Sequence, residues 1–189
     1  MLCVDPSHEM LKEAEARAPA VSTLLADGTS YAQSLEPGSV DRVLINEMIH
    51  HFTTEEQPVF FARLFEGMRP GGVCLTVTHP HEGKGRYPFF DAAFKVWRDN
   101  QPPAERFVKV MEGAGFAVTT ETHEFAVVLP QAVWLQMLRG RFWSTFSHFT
   151  DSELSAGVEE VERNFPADAE GNITFKEALV FLTATKKEG

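Results

Sequence analysis

The sequence predicts an α/β domain built on a doubly wound, mostly parallel sheet with helices on both faces. Two observations predict it. β-prone runs and helical periodicity alternate as strand, helix, strand, strand, helix, strand up to Val77, the order of a sheet wound by crossover helices. The run Val40 to Ile45 is almost continuously apolar, broken by Asp41 and Arg42, as expected of a strand covered on both faces. At 189 residues and 43% hydrophobic content, the chain can bury a sizeable core as a single domain, residues 1–189.

Each element has a local reason. Leu2 to Val4 is a short strand ending at Asp5, and Pro6-Ser7 starts a helix on which Met10, Leu11, Ala14 and Ala18 recur at helical spacing. Val21 to Leu25 and Val40 to Ile45 are the next strands. Thr53 and Glu56 form a capping-box pattern before a helix whose buried face is Phe61, Leu64, Phe65 and Met68. Arg69 to Gly72 reads as a turn and Val73 to Val77 as a strand. Residues 79–103, rich in Gly, Pro and aromatics, read as a binding loop or lid. Phe107, Val110, Met111 and Ala114 then mark a helix closed by Gly115. A strand from Phe116 to Glu124, a helix from Pro130 to Leu138, a helix capped by Thr150 and Glu153 with the face Leu154, Val158, Val161 and Phe165, and a β-prone run from Ala178 to Thr185 complete the chain.

Composition narrows the partners. A net charge of -10 with only short basic clusters argues against nucleic acid and against a polybasic membrane patch. Cys3 and Cys74 lie in apolar β-prone runs and read as buried thiols in a reducing compartment. With no apolar run long enough to span a bilayer and no leader at Met1, the expectation is a soluble cytoplasmic protein.

Four strings occur in order: Val4-Asp5-Pro6-Ser7-His8-Glu9-Met10-Leu11; Ala26-Asp27-Gly28; Ser39-Val40-Asp41-Arg42-Val43-Leu44 running into Ile49-His50-His51; and Met68-Arg69-Pro70-Gly71-Gly72 before a strand. Together they resemble class I S-adenosylmethionine-dependent methyltransferases of the small-molecule type. The resemblance implies a Rossmann-like sheet with its last strand antiparallel. It implies S-adenosylmethionine as cofactor, with Asp5 accepting from the ribose hydroxyls, Met10 against the adenine, Asp27 accepting from the adenine amine beside Gly28, and Asn46 near the methionine part. It also implies a central first strand carrying a Gly-x-Gly-x-Gly turn, and this sequence begins after that position. Gly83-Lys84-Gly85 lies in a later loop and reads as flexibility. The chain is therefore expected to be an N-terminally truncated, partial domain, with open edges on the strands at residues 2–4 and 40–45 unless they close on each other or another chain fills the gap.

His50 and His51 follow the third strand, where either could take a proton from a substrate. His79, His81 and Glu47 fall at the same predicted edge, but without a third fixed ligand the expectation is no metal. Tyr87, Arg139, Arg141 and Trp143, in the substrate-side segments 79–103 and 130–170, are the candidates for binding a small molecule, the arginine forks suiting an acidic one. The leading function is methylation of an oxygen or nitrogen of a small molecule, with activity of this chain in doubt without the glycine turn. The alternative is a catalytically silent binding or scaffold protein, dimeric through its open sheet edge.

Overall fold

The computed structural model describes residues 1–81 and 87–188. The first repeat of strand and helix is complete at Arg17: β1 (Leu2–Asp5) leads into α1 (His8–Arg17), and β2 (Ser22–Leu25) returns parallel to β1 with Leu2 opposite Ser22 and Asp5 opposite Leu25. Ser7 caps α1, its hydroxyl accepting from the Met10 N–H at 3.3 Å. Then follow α2 (Gly28–Ser34), β3 (Val40–Asn46), a 3-10 turn (Ile49–His51), α3 (Glu56–Gly67) and β4 (Met68–Thr78). After residues 82–86 come α4 (Asp91–Asn100), α5 (Ala104–Gly113), β5 (Ala117–Pro130), α6 (Gln131–Arg139), a second 3-10 turn (Ser144–His148), α7 (Asp151–Asn164) and β6 (Asn172–Thr185).

The α/β class is as expected, a mostly parallel sheet flanked by helices with the last strand antiparallel. The sheet is divided, however. β1 and β2 form one sheet, and β3, β4, β6 and β5 form another in that order. β1 and β3, the two strands whose edges the sequence leaves open, do not pair with each other. Leu2 on β1, Leu24 and Leu25 on β2 and Leu44 on β3 are exposed, Leu44 by 65%, so apolar runs suited to burial on both faces stay uncovered.

Several sequence readings need correction. Residues 28–34 form a helix that was not foreseen; it has no apolar stripe of helical period and starts on the Asp27 cap alone. Asp91–Asn100 is helical inside the segment read as a loop, with Ala93 and Trp97 buried at i, i+4. The Arg69 to Gly72 turn is instead the opening of β4: Gly71, at φ 75°, bends the strand while its N–H donates to the Lys186 carbonyl at 2.7 Å. β5 continues past Glu124 to Pro130. The Gly83-Lys84-Gly85 reading lies outside the described residues. Both capping boxes form: Thr53 and Glu56 exchange bonds of 2.8 and 3.2 Å, and Thr150 and Glu153 do likewise at 2.8 and 3.3 Å.

The chain divides into two compact units, residues 1–76, 105–119 and 182–189, and residues 77–104 and 120–181. In the first, α2 packs on α3. An added Cβ at Gly28 would stand 2.9 Å from the Phe52 ring, and one at Gly67 would stand 2.8 Å from Leu35. Its core is Ile45, Ile49, Phe60, Phe61, Leu64, Met68, Cys74, Phe107, Met111 and Leu182. Burial pushes the Cys74 thiol up to about 12, so it stays protonated and packs as a small hydrophobe.

The second unit is built around aromatic rings. Phe89, Phe90, Trp134, Phe146 and their neighbours are buried together, with Phe89 and Phe146 edge to face at 5.1 Å. Gly157 lets α7 approach Phe90, since a Cβ there would sit 2.6 Å from the ring. Gly157→Ala gains about 1 kcal/mol of helix propensity but overpacks a ring that cannot yield, at about 1–3 kcal/mol. The expected outcome is a lower denaturation midpoint, measured by urea titration, rather than the rise an exposed helical Gly→Ala would give.

Candidate functional site

The carboxyl ends of parallel strands are where open α/β sheets bind ligands. In the first unit the β1 and β2 register brings two acidic residues to one such edge. Asp5 ends β1, its carbonyl accepts from the Ala26 N–H at 3.2 Å, and Asp27 follows directly. Asp5 Oδ1 accepts from the Ser7 N–H at 2.7 Å, while Oδ2 makes no hydrogen bond among the described residues. That oxygen can accept from a ligand hydroxyl. Met10, on α1, is 58% exposed; it is not a core residue, and Leu11 is the buried side chain of that helix.

Asp27 has a structural task. Its Oδ1 accepts from the Ser30 N–H at 2.8 Å and its Oδ2 from the Ser30 hydroxyl at 2.6 Å, capping α2. These bonds, the hydroxyl's first, lower its carboxyl below the usual aspartate value. Oδ2 retains a second lone-pair direction, so the cap leaves room for one more donor. Gly28 is accounted for by the close approach of Phe52 and Met48. The lowered Asp27 titration carries a sign. The stabilisation is present above the ordinary carboxylate range and is lost as pH falls through the depressed folded value. Ser30→Ala is therefore expected to destabilise the protein at pH 7 and to differ little from wild type once Asp27 is protonated, as read by urea denaturation across the acid limb.

At the end of β3, Asn46 is exposed and its side chain makes no hydrogen bond among the described residues. Glu47 adopts φ 54°, a left-handed conformation that costs a non-glycine residue free energy and concentrates at functional edges. Sequence reasoning weighed Glu47 only as a metal ligand; its backbone conformation has no sequence signal. The rings of His50 and His51 lie 4.1 Å apart, tilted 46°, with His50 half-buried and His51 exposed. Among the described residues no group of three or more His, Cys, Asp and Glu side chains is arranged to hold a metal, and no helix is long and apolar enough to cross a membrane.

In the second unit the substrate-side candidates separate. Tyr87 is buried and its hydroxyl shares a hydrogen bond with His79 Nδ1 at 3.0 Å. Trp143 packs 5.1 Å from Tyr87 and 5.0 Å from His79, ring to ring. Gln101, also buried, donates to Thr78 Oγ1 and to the His79 carbonyl, both at 3.0 Å. His79 and Gln101 thus join Tyr87 in a buried polar cluster that the sequence did not single out. Arg141 is engaged elsewhere: at φ 54°, it donates to the carbonyls of Phe146 and Phe149 and pairs with Asp151 at 2.8 Å. Those carbonyls end a 3-10 turn and would otherwise lack partners. Arg139, in the last turn of α6, is exposed and makes no ion pair among the described residues.

The family described as methyltransferase domain matches residues 1–72, which include β1, β2, Asp5, Asp27 and the turn bearing His50 and His51. That match spans less than half of the chain, and the fold of the whole chain is the one SAM-dependent methyltransferases adopt. A SAM-dependent methyltransferase from Archaeoglobus fulgidus is similar at 12% identity and TM-score 0.56, over 97% of this chain and 75% of that one. A phosphoethanolamine N-methyltransferase from Haemonchus contortus, solved with S-adenosyl-L-methionine, is similar at 19% identity and TM-score 0.55, over 99% of this chain and 43% of that one. The [4+2]-cyclase SpnF is similar at 14% identity and TM-score 0.55, over 100% of this chain and 67% of that one. No curated protein matches the sequence. The methyltransferase fold accordingly includes a protein named for different chemistry, so fold alone does not fix the reaction.

Proposed function

We propose that this protein is a methyltransferase that uses S-adenosylmethionine to methylate an oxygen or nitrogen of a small molecule. The observation that carries the reading is the acidic edge of β1 and β2 inside the family-matched residues, where Asp5 presents an uncommitted carboxylate oxygen. The residues present fit the cofactor. Asp5 Oδ2 suits a ribose hydroxyl, the exposed Met10 thioether suits an adenine face, and Asp27 Oδ2 has capacity for the adenine amine without leaving its helix cap.

The cofactor supplies an electrophilic methyl group on a sulfonium. The chain's task is to align a nucleophile and exclude water. His50 or His51 can accept the proton that a hydroxyl or ammonium group gives up. Arg139 can meet an anionic group, whereas Arg141 is committed to its own backbone turn.

A second reading rests on the divided sheet. The open edges of β1 and β3, with Leu44 65% exposed, favour a non-catalytic binding role in which another strand completes the sheet. Incubation with methyl-labelled S-adenosylmethionine and a panel of small amines, alcohols and phosphoamines separates the two. Label in an acceptor supports the enzyme; a folded chain that binds S-adenosylhomocysteine yet labels nothing supports the binding role.

A further inference from the structure

The outer edge of β5 carries a self-complementary pattern. β5 ends the sheet, with no strand beyond it among the described residues, and residues 119–126 are exposed along its length. Its middle reads Thr120-Glu121-Thr122-His123-Glu124, and within one chain His123 Nε2 lies 3.2 Å from Glu121 Oε2 on one face of the strand, the side chains 53% and 72% exposed. From this the geometry points to a homodimer in which β5 pairs antiparallel with β5 of a second copy, joining two sheets edge to edge.

A two-fold axis normal to a sheet must pass through one residue position, and residues symmetric about it face each other on the same side. Centred on Thr122, the register sets Glu121 against His123 of the second copy, and His123 against its Glu121. Thr122 then faces Thr122, and Thr120 faces Glu124. Thr–Thr pairs directly opposed are favourable in sheets by about 0.2–1 kcal/mol, and an imidazole N–H can donate to the carboxylate opposite it. Moving the centre to Glu121 or to Glu124 instead opposes two carboxylates, which is unfavourable. The pattern therefore favours the register centred on Thr122 over both of those. Phe125 and Val128, 46% and 60% exposed, add apolar surface along the same strand. The net charge of -10 opposes association at long range, but salt near 0.1 M screens it beyond about 10 Å. This edge is distinct from the β1 and β3 edges, and the inference stands whichever functional reading holds.

Sedimentation equilibrium of the full chain at pH 7.5 and physiological salt tests it. Wild type is expected to be dimeric at micromolar concentration. Thr122→Lys opposes two lysines on the axis and is expected to weaken the dimer at least tenfold, the exposed site leaving the fold intact by circular dichroism. His123→Lys turns both cross-strand pairs into permanent ion pairs and is expected to tighten it about two- to tenfold, since opposite charges directly opposed are favourable in sheets. A wild type monomeric up to about 100 µM, or a dimer whose affinity neither substitution changes, overturns the proposal.

Discussion

Phe146→Ala is expected to be the most destabilising single change, costing about 3–5 kcal/mol, because truncating a fully buried aromatic forfeits its transfer free energy and leaves a cavity that its surroundings fill poorly. Phe146 has no exposed surface, meets Phe89 edge to face at 5.1 Å and Phe142 at 5.4 Å, and its carbonyl accepts from Arg141. The rings around it are held by one another and by the Trp134 indole, which donates to the Pro88 carbonyl at 2.8 Å. Little can therefore collapse into the space. Urea denaturation is expected to show the midpoint shift, while Val133→Ala, at a position 45% exposed, should change stability by no more than about 0.5 kcal/mol. Equal effects at the two positions would mean that the aromatic cluster is not a packed core.

Asp5→Ala is expected to weaken S-adenosylhomocysteine binding about 10- to 100-fold, the range for a hydrogen bond to a charged group worth about 1.5–3 kcal/mol. Alanine also deletes the acceptor of the Ser7 N–H, so part of any loss could be local unfolding of the turn into α1. Asp5→Asn separates the two, since its amide oxygen still accepts from Ser7 while the charge is gone. Calorimetry is expected to show weakened binding for both variants, with unchanged circular dichroism for the asparagine variant. Full affinity in the asparagine variant would remove the Asp5 charge from the site.

The parts of this fold that were legible in the sequence are those set by local chemistry. Ser7, Thr53 with Glu56, and Thr150 with Glu153 announce helix starts because their side chains satisfy backbone donors that no other residue nearby can reach. The run Val40 to Ile45 announces a strand, and Cys74 a buried thiol. The illegible parts depend on contacts between distant residues. α2 is too short to show a period and is held by packing on α3. β4 passes through a Pro-Gly-Gly sequence because Gly71 pairs with Lys186, far along the chain.

The candidate site divides along the same line. Asp5 and Asp27 share an edge because both follow parallel strands, which the strand order makes readable. Arg141 looked like a carboxylate fork, yet the carbonyls of Phe146 and Phe149 claim it through a turn that sequence does not display. His79 drew attention as a metal candidate, and its pairing with buried Tyr87 emerges only from the packing of Trp97 and Trp143 around both.

The most direct measurement is calorimetric titration of the wild-type chain with S-adenosylhomocysteine, run beside circular dichroism to establish that the sample is folded. The account predicts saturable binding at micromolar affinity to the β1 and β2 edge. A folded chain that gives no binding heat at any temperature tested would contradict it.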